Sequence, residues 1–138
     1  MLAARRAVPA NDLRGLIAWL KANPDKATFG TGIPATPGIL FQRETGTHFQ
    51  FVPYPRGATP IIQDLMASQI DMAITDPIIS LPQVRAGTIK AYGVTTKTRL
   101  TSAPDIPSLD EAGLRGFDVS QWHGLRLPKG APKNIIAS

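Results

Sequence analysis

The chain has 138 residues, no cysteine, and 15 Lys+Arg against 10 Asp+Glu for a net charge of +5. That is one domain's length, enough to bury a core unaided, and the absence of cysteine excludes disulfides, thiol redox chemistry and Cys-based metal sites. The basic residues are scattered singly or in pairs, which suits small anions better than nucleic acid, and no stretch approaches the ~18 uninterrupted apolar residues of a membrane span.

The opening "MLAARRAVPANDL" carries Arg5 and Arg6 with no apolar stretch behind them, so it does not form a complete signal peptide, and no element is assigned to it. Asp12 is a good N-cap for a helix whose Leu13, Leu16, Ile17 and Leu20 fall at helical spacing, closed by Asn23-Pro24. "KATFG" reads as a short strand. Thr36-Pro37 starts a second helix that Gly46 stops, and "HFQFVPY" alternates like a strand with Phe49 and Phe51 on one face. Thr59-Pro60 starts a third helix, and "IDMAIT" alternates through Ile70, Met72 and Ile74. Asp76-Pro77 starts a short fourth helix that Gly87 ends, and "TIKAYGVTT" is a further strand. Ser108 and Glu111 form a capping box over a brief helix, "VSQWHGLRL" reads as a last strand, and "APKNIIAS" begins another helix. Alternation of this kind predicts an α/β domain, a mostly parallel open sheet with helices on both faces.

A repeated device marks where chemistry would sit. Three strands each run into a small or polar turn and then a cap-Pro pair: "FGTGIPA" into Thr36-Pro37, "VPYPRGA" into Thr59-Pro60, and "MAIT" into Asp76-Pro77. In an open parallel sheet these turns share the strand C-terminal edge, where ligands bind. First-turn N–H groups and the positive end of each helix dipole favour an anion there, and Arg56 could grip a carboxylate through two hydrogen bonds.

Other readings fare worse. Gly30, Gly32 and Ala35 satisfy a loose dinucleotide-binding pattern, yet no Asp or Glu lies between Thr45 and Pro60 for the ribose, and Pro34 interrupts the turn. No Gly-Lys-Ser/Thr follows, which excludes a P-loop. His48 and His123 are far in sequence from any arranged nucleophile, and Asp71 and Asp76 straddle a strand end where the sequence names no second catalytic acid or base. A binding module rather than an enzyme is expected, with no cofactor, no metal and no nucleic-acid partner. Tyr54, at a strand end before Arg56, is the aromatic expected at a ligand. Trp122 either anchors the core or walls the pocket, and Trp19 packs.

The segments "LIAWLKANPDKATFGTG", "LFQRETGTHFQFVPY", "QDLMASQIDMAITD", "SLPQVRAGTIKAYGVTTKTR" and "APDIPSLDEAGLRGFDVSQWHGLRLPKGAPKNII" together resemble the Bug family, the extracytoplasmic (TctC-like) solute receptors of tripartite tricarboxylate transporters. The match runs from about Val8 onward, with "VPY…QDL…Q-I-D", "LP-x-V-x-A-G" and "APDIPSLDEAGL" as its specific parts. The resemblance implies a type II periplasmic-binding-protein fold, whose two α/β domains close on a carboxylated solute, often a dicarboxylate or an aromatic acid. Residues 1–138 look like the second domain only, without the first domain and the C-terminal helix.

Carried over by position, Gly30, Thr31 and Gly32 would present backbone and hydroxyl groups to the ligand carboxylate, and Thr75 and Asp76 would add side chains beside them. Three departures accompany the match. The loop spanned by Ile33-Pro34-Ala35 is shorter than is usual in the family, Thr75 stands where relatives tend to place Asp, and Pro55 looks inserted before Arg56. The implied partners are a small carboxylate, the missing first domain and, in a full receptor, membrane transporter subunits, which places the protein in the periplasm. The alternative is a free-standing orphan domain, cytoplasmic, that keeps the fold, has lost its ligand, and covers its exposed face by homo-oligomerisation.

Overall fold

A computed structural model describes residues 1–32 and 35–120. In chain order the elements are β1 (Leu2–Arg5), α1 (Leu13–Ala22), β2 (Thr28–Thr31), α2 (Thr36–Thr45), β3 (Gln50–Pro53), α3 (Ala58–Met66), β4 (Met72–Ile74), α4 (Pro77–Arg85) and β5 (Ile89–Gly93). They form an open five-stranded sheet of order β3-β2-β4-β1-β5. β2 pairs parallel with β3 and with β4, whereas β1 pairs antiparallel with β4 and with β5. Four of the five strands therefore run one way, and β1 alone runs against them near the sheet centre.

β1 is the element that sequence reading leaves unassigned. "LAAR" is alanine-rich, with no β-branched residue, so it carries little strand propensity. It also lacks alternation, because both its faces are covered: Leu2 and Ala4 enter one core cluster while Ala3 enters the other.

The same period-two switching sorts the helices. Leu13, Leu16 and Leu20 of α1 and Phe41 of α2 pack on one face with Leu2, Ala4, Phe29 and Met72. Ile61, Ile62 and Leu65 of α3, with Ile79 and Val84 of α4, pack on the other face with Ala3 and Ala73. All five phenylalanines of the chain join the first layer as one connected set: Phe29 stacks on Phe49 at 5.0 Å, Phe51 meets both edge-on, and Phe41 links Phe49 to Phe117.

Helix ends follow their signals unevenly. Asp12 caps α1 by accepting from the Gly15 N–H at 2.7 Å, and Asp76 caps α4 by accepting from the Ile78 N–H at 2.9 Å. Gly46 ends α2 in the left-handed region. Two of the three expected cap-Pro pairs are displaced inward. The N-caps of α2 and α3 are Ala35 and Gly57, neither with a side-chain cap bond, so Thr36 and Thr59 sit inside the first turns. Gly57 has φ 93°, which only glycine adopts without strain, and this fixes where α3 begins. Ser108 and Glu111 do exchange their two capping bonds, each at 3.1 Å, but they close a turn rather than a helix. The strand expected from Val119 and the helix expected in "APKNIIAS" lie wholly or mostly outside the described residues.

At the sheet edge where β2 and β4 begin, Asp71 ties three strands together. One carboxylate oxygen accepts from Arg5 Nε at 2.7 Å, and the other accepts from the Thr28 N–H and Thr28 Oγ1 at 2.8 and 2.9 Å. Replacing Asp71 with Ala leaves a guanidinium, an amide and a hydroxyl without their acceptor. Urea denaturation should register a loss of about 3 kcal/mol, with Asp71→Asn losing less.

Gly38 in α2 supplies a second test. A Cβ there would stand 2.5 Å from Phe51 Cε1 and 2.9 Å from Phe29 Cε1, inside a ring cluster with no room to retreat. Gly38→Ala should therefore destabilise by about 1–3 kcal/mol even though Ala gains roughly 1 kcal/mol in helix propensity. An unchanged or raised urea midpoint would contradict this packing.

Candidate functional site

The opposite sheet edge carries the polar groups that the scaffold leaves over. Here β2, β4 and β5 end, β1 begins, and α2, α3 and α4 start within a few residues of a strand end. Three buried threonines follow one another across this edge: Thr31 at the end of β2, Thr75 just after β4, and Thr95 just after β5. The β2–β4 register, with Gly30 opposite Ala73, places Gly32 level with Thr75 when continued. Met1 closes the row, since its carbonyl accepts from the Thr75 N–H at 2.9 Å.

These groups line an open cleft of about 1750 Å³, walled by Phe29, Ile61, Ile74, Ile78 and Leu81 and floored by the threonines. That volume exceeds the ~300–1,000 Å³ of a finished ligand pocket, as expected of a surface that encloses a solute only when something faces it. Thr75 decides the character of the floor. Its residue is 5% exposed, and its Oγ1, fully buried, has no hydrogen-bond partner among the described residues. A buried hydroxyl left unpaired costs roughly 1–3 kcal/mol, so such groups persist where something else supplies the bond.

The residues expected from sequence are distributed as follows. Thr31, Gly32, Tyr54, Thr75 and Asp76 all line the cleft. Asp76 does so while its carboxylate caps α4. Gly30 lies inside β2 and does not line it. A Cβ on Gly30 would stand 2.5 Å from Ile70 Cδ1 and 3.3 Å from both Ile61 and Tyr54, so this glycine serves close packing under α3. Arg56 is exposed on the β3–α3 turn and is not part of the lining. Trp122 and the Ile33-Pro34 step lie outside the described residues.

Tyr54 is committed differently from the expectation. Its ring forms part of the wall, but its hydroxyl donates to the Asp64 carboxylate on α3, and its N–H donates to the Thr31 carbonyl at 2.8 Å. Sequence reading missed Thr95, Thr96, Ile78 and Met1 in the lining. "GVTT" ends its strand in two threonines, which was the available signal, but no cap-Pro pair follows to mark it. Ile78 hides because an apolar residue in the first turn of a helix reads as core, whereas here it is 79% exposed.

Among the described residues no group of His, Asp or Glu could hold a metal ion, and no helix is long and apolar enough to cross a membrane. Among the described residues, Arg85 is the one cationic side chain in the lining, and it donates to the Ser102 carbonyl at 2.7 Å. An anion at this edge would meet helix N-termini and neutral hydroxyls, with the Asp76 carboxylate beside them.

Comparison with known proteins decides the family. Residues 1–138 match throughout the family described as the tripartite tricarboxylate transporter family receptor, TctC. The chain belongs to the TctC family. Among curated TctC-like relatives, the UPF0065 protein in the TAR-I ttuE-ttuC' intergenic region of Agrobacterium vitis is 36% identical over 97% of this chain and 40% of its own length. Among solved structures, the periplasmic binding protein BugD is 31% identical with a TM-score of 0.86, covering 99% of this chain and 46% of BugD. MatC from Rhodopseudomonas palustris with bound malate is 30% identical with a TM-score of 0.86, over 99% of this chain and 48% of MatC. This TctC chain thus spans less than half the length of each of these relatives. The family is one of receptors, not enzymes.

The two tyrosines of this TctC chain give a pH test. Burial first, then the Asp64 hydrogen bond and charge, push the Tyr54 phenol up to about 12, and burial followed by the Asp12 charge pushes Tyr92 up to about 12. Folding raises both values above the ordinary 10.0, so the neutral phenols contribute stability that is full below pH 10 and lost as pH rises towards 12. Absorbance at 295 nm should show no phenolate near pH 10 in the native chain, while the urea-unfolded chain titrates both groups there. A native tyrosine ionising at its ordinary value would contradict the burial described.

Proposed function

We propose that residues 1–138 act as one ligand-binding lobe, the second domain, of a periplasmic solute receptor, holding a small di- or tricarboxylate or aromatic acid for a tripartite tricarboxylate transporter. The observation that carries this reading is the buried Thr75 Oγ1, without a hydrogen-bond partner among the described residues, at the edge where three helices start. A carboxylate oxygen seated there would accept from the Thr75 hydroxyl, with Thr31 and the backbone of Gly32 beside it and the α3 and α4 N-termini opposing its charge. The apolar walls suit the hydrocarbon body of the solute. The malate in MatC, a family relative matched over 99% of this chain, supports the same ligand class.

The partners proposed are the carboxylate itself, a facing lobe that completes the cleft, and the membrane subunits of the transporter. The lobe is proposed to supply one set of hydrogen bonds, with closure by the facing lobe desolvating the ligand. A single lobe should accordingly bind in the range of about 1 mM, worth about −4 kcal/mol.

Titrating the chain with malate, succinate, adipate and benzoate, followed by amide chemical shifts, should move Gly32, Thr75 and Ile78 and leave the Asp71 edge unmoved. No shift with any of the four, or shifts only elsewhere, would overturn the proposal. Thr75→Val keeps the shape and removes the orphan hydroxyl. It should raise stability by about 1 kcal/mol while weakening binding about tenfold or more.

A further inference from the structure

We infer that Asp64, which lies outside the cleft lining, is a positioning residue that holds the β3–α3 turn and the start of α3 in place at the cleft by accepting the Tyr54 hydroxyl. The inference rests on the reading of this edge as a solute site, and it concerns what keeps that edge in shape.

The three helices that begin at the cleft are anchored unequally. α4 has its own side-chain cap in Asp76, whereas α3 starts at Gly57 with no side-chain cap bond. The turn before α3 is closed by one long backbone bond, from the Gly57 N–H to the Tyr54 carbonyl at 3.3 Å. Left to these bonds, residues 54–57 would be the weakest part of the wall. Tyr54 adds the missing restraint at both of its ends. Its N–H is fixed to Thr31 on β2, and its hydroxyl reaches Asp64 in the second turn of α3. The ring spans the distance between them, packed over the side-chain-free Gly30.

A hydrogen bond from a neutral donor to a carboxylate is charge-assisted and stronger than one between neutral groups, so this contact can fix a short turn that local bonds do not. Asp64 does not itself line the cleft and reaches it through the Tyr54 hydroxyl. Tyr54 and Asp64 belong to the "VPY" and "QDL" stretches of the sequence, which this contact joins.

The test uses Asp64→Ala, Asp64→Asn and Tyr54→Phe in the full chain. In Asp64→Ala, amide exchange at Tyr54 and Gly57 should quicken about tenfold while β1 and β5 amides keep their rates, and Asp64→Asn, which still accepts a hydrogen bond, should fall between it and wild type. Tyr54→Phe should reproduce Asp64→Ala, and combining the two should add nothing further. The Tyr54 phenol should titrate below its native position in Asp64→Ala yet stay above the ordinary value, because burial remains.

Unchanged exchange at Tyr54 and Gly57, or equal acceleration across the whole sheet, would overturn the inference. So would additive effects in the double variant. If Asp64→Ala does not fold, Tyr54→Phe decides alone by the same exchange readout. If wild type binds none of malate, succinate, adipate and benzoate, the solute reading fails, while exchange and the double variant still decide the role of Asp64.

Discussion

The architecture depends on the carboxylate of Asp71. A sheet with an interior strand that runs against both its neighbours needs that strand fixed in register, and β1 is too short and too alanine-rich to fix itself by side-chain packing. Asp71 does it by charge and by hydrogen bonding. It holds Arg5 from the end of β1 and Thr28 from the start of β2, while its own backbone pairs with both. Shifting β1 by one residue would turn Leu2 and Ala4 to the wrong face, emptying one core layer and crowding the other. Lys90 and Tyr92 on β5 add a second restraint, donating to the carbonyls of Val8 and Ala10 and so fixing the chain that leaves β1 for α1.

The two edges of the sheet are consequently unlike. At the Asp71 edge the polar groups satisfy one another. At the other edge α2 and α3 start without side-chain caps, and the Thr75 hydroxyl has no partner among the described residues. Folding is secured at one end, which leaves the other free to hold polar groups that the fold itself does not need. This division lets a site of neutral donors remain open without weakening the register of the strands beneath it.

Much of this was legible in the residues, and the exceptions have physical causes. Among the described residues, capping residues and helical spacing located the four helices, because a local hydrogen bond such as Gly15 to Asp12 is written within a few positions of sequence. β1 was illegible because its partners lie about 70 and 90 residues away and its composition suits no single element. The cleft edge was legible as a place but less so as a list. Arg56 is the natural anion ligand by charge, yet it stands exposed on the β3–α3 turn outside the cleft lining. Thr95 and Ile78 carry no distinctive pattern, and only the topology brings them to the lining. The pattern behind the family resemblance proves largely structural: Tyr54 and Asp64 bond each other, and Asp71 ties the strands.

Gly30 shows how such a cleft could be adjusted from beneath. Because no side chain stands between β2 and the residues Ile61 and Ile70, α3 rests at a height above the sheet set by bare backbone. Any atom added at that position would act as a shim, lifting the helix and the N–H groups at its tip relative to the threonine floor. The distance between the two sides of the proposed solute edge is thus set by a residue outside the cleft lining, and variation at this one spot would change that distance while every lining side chain stayed the same.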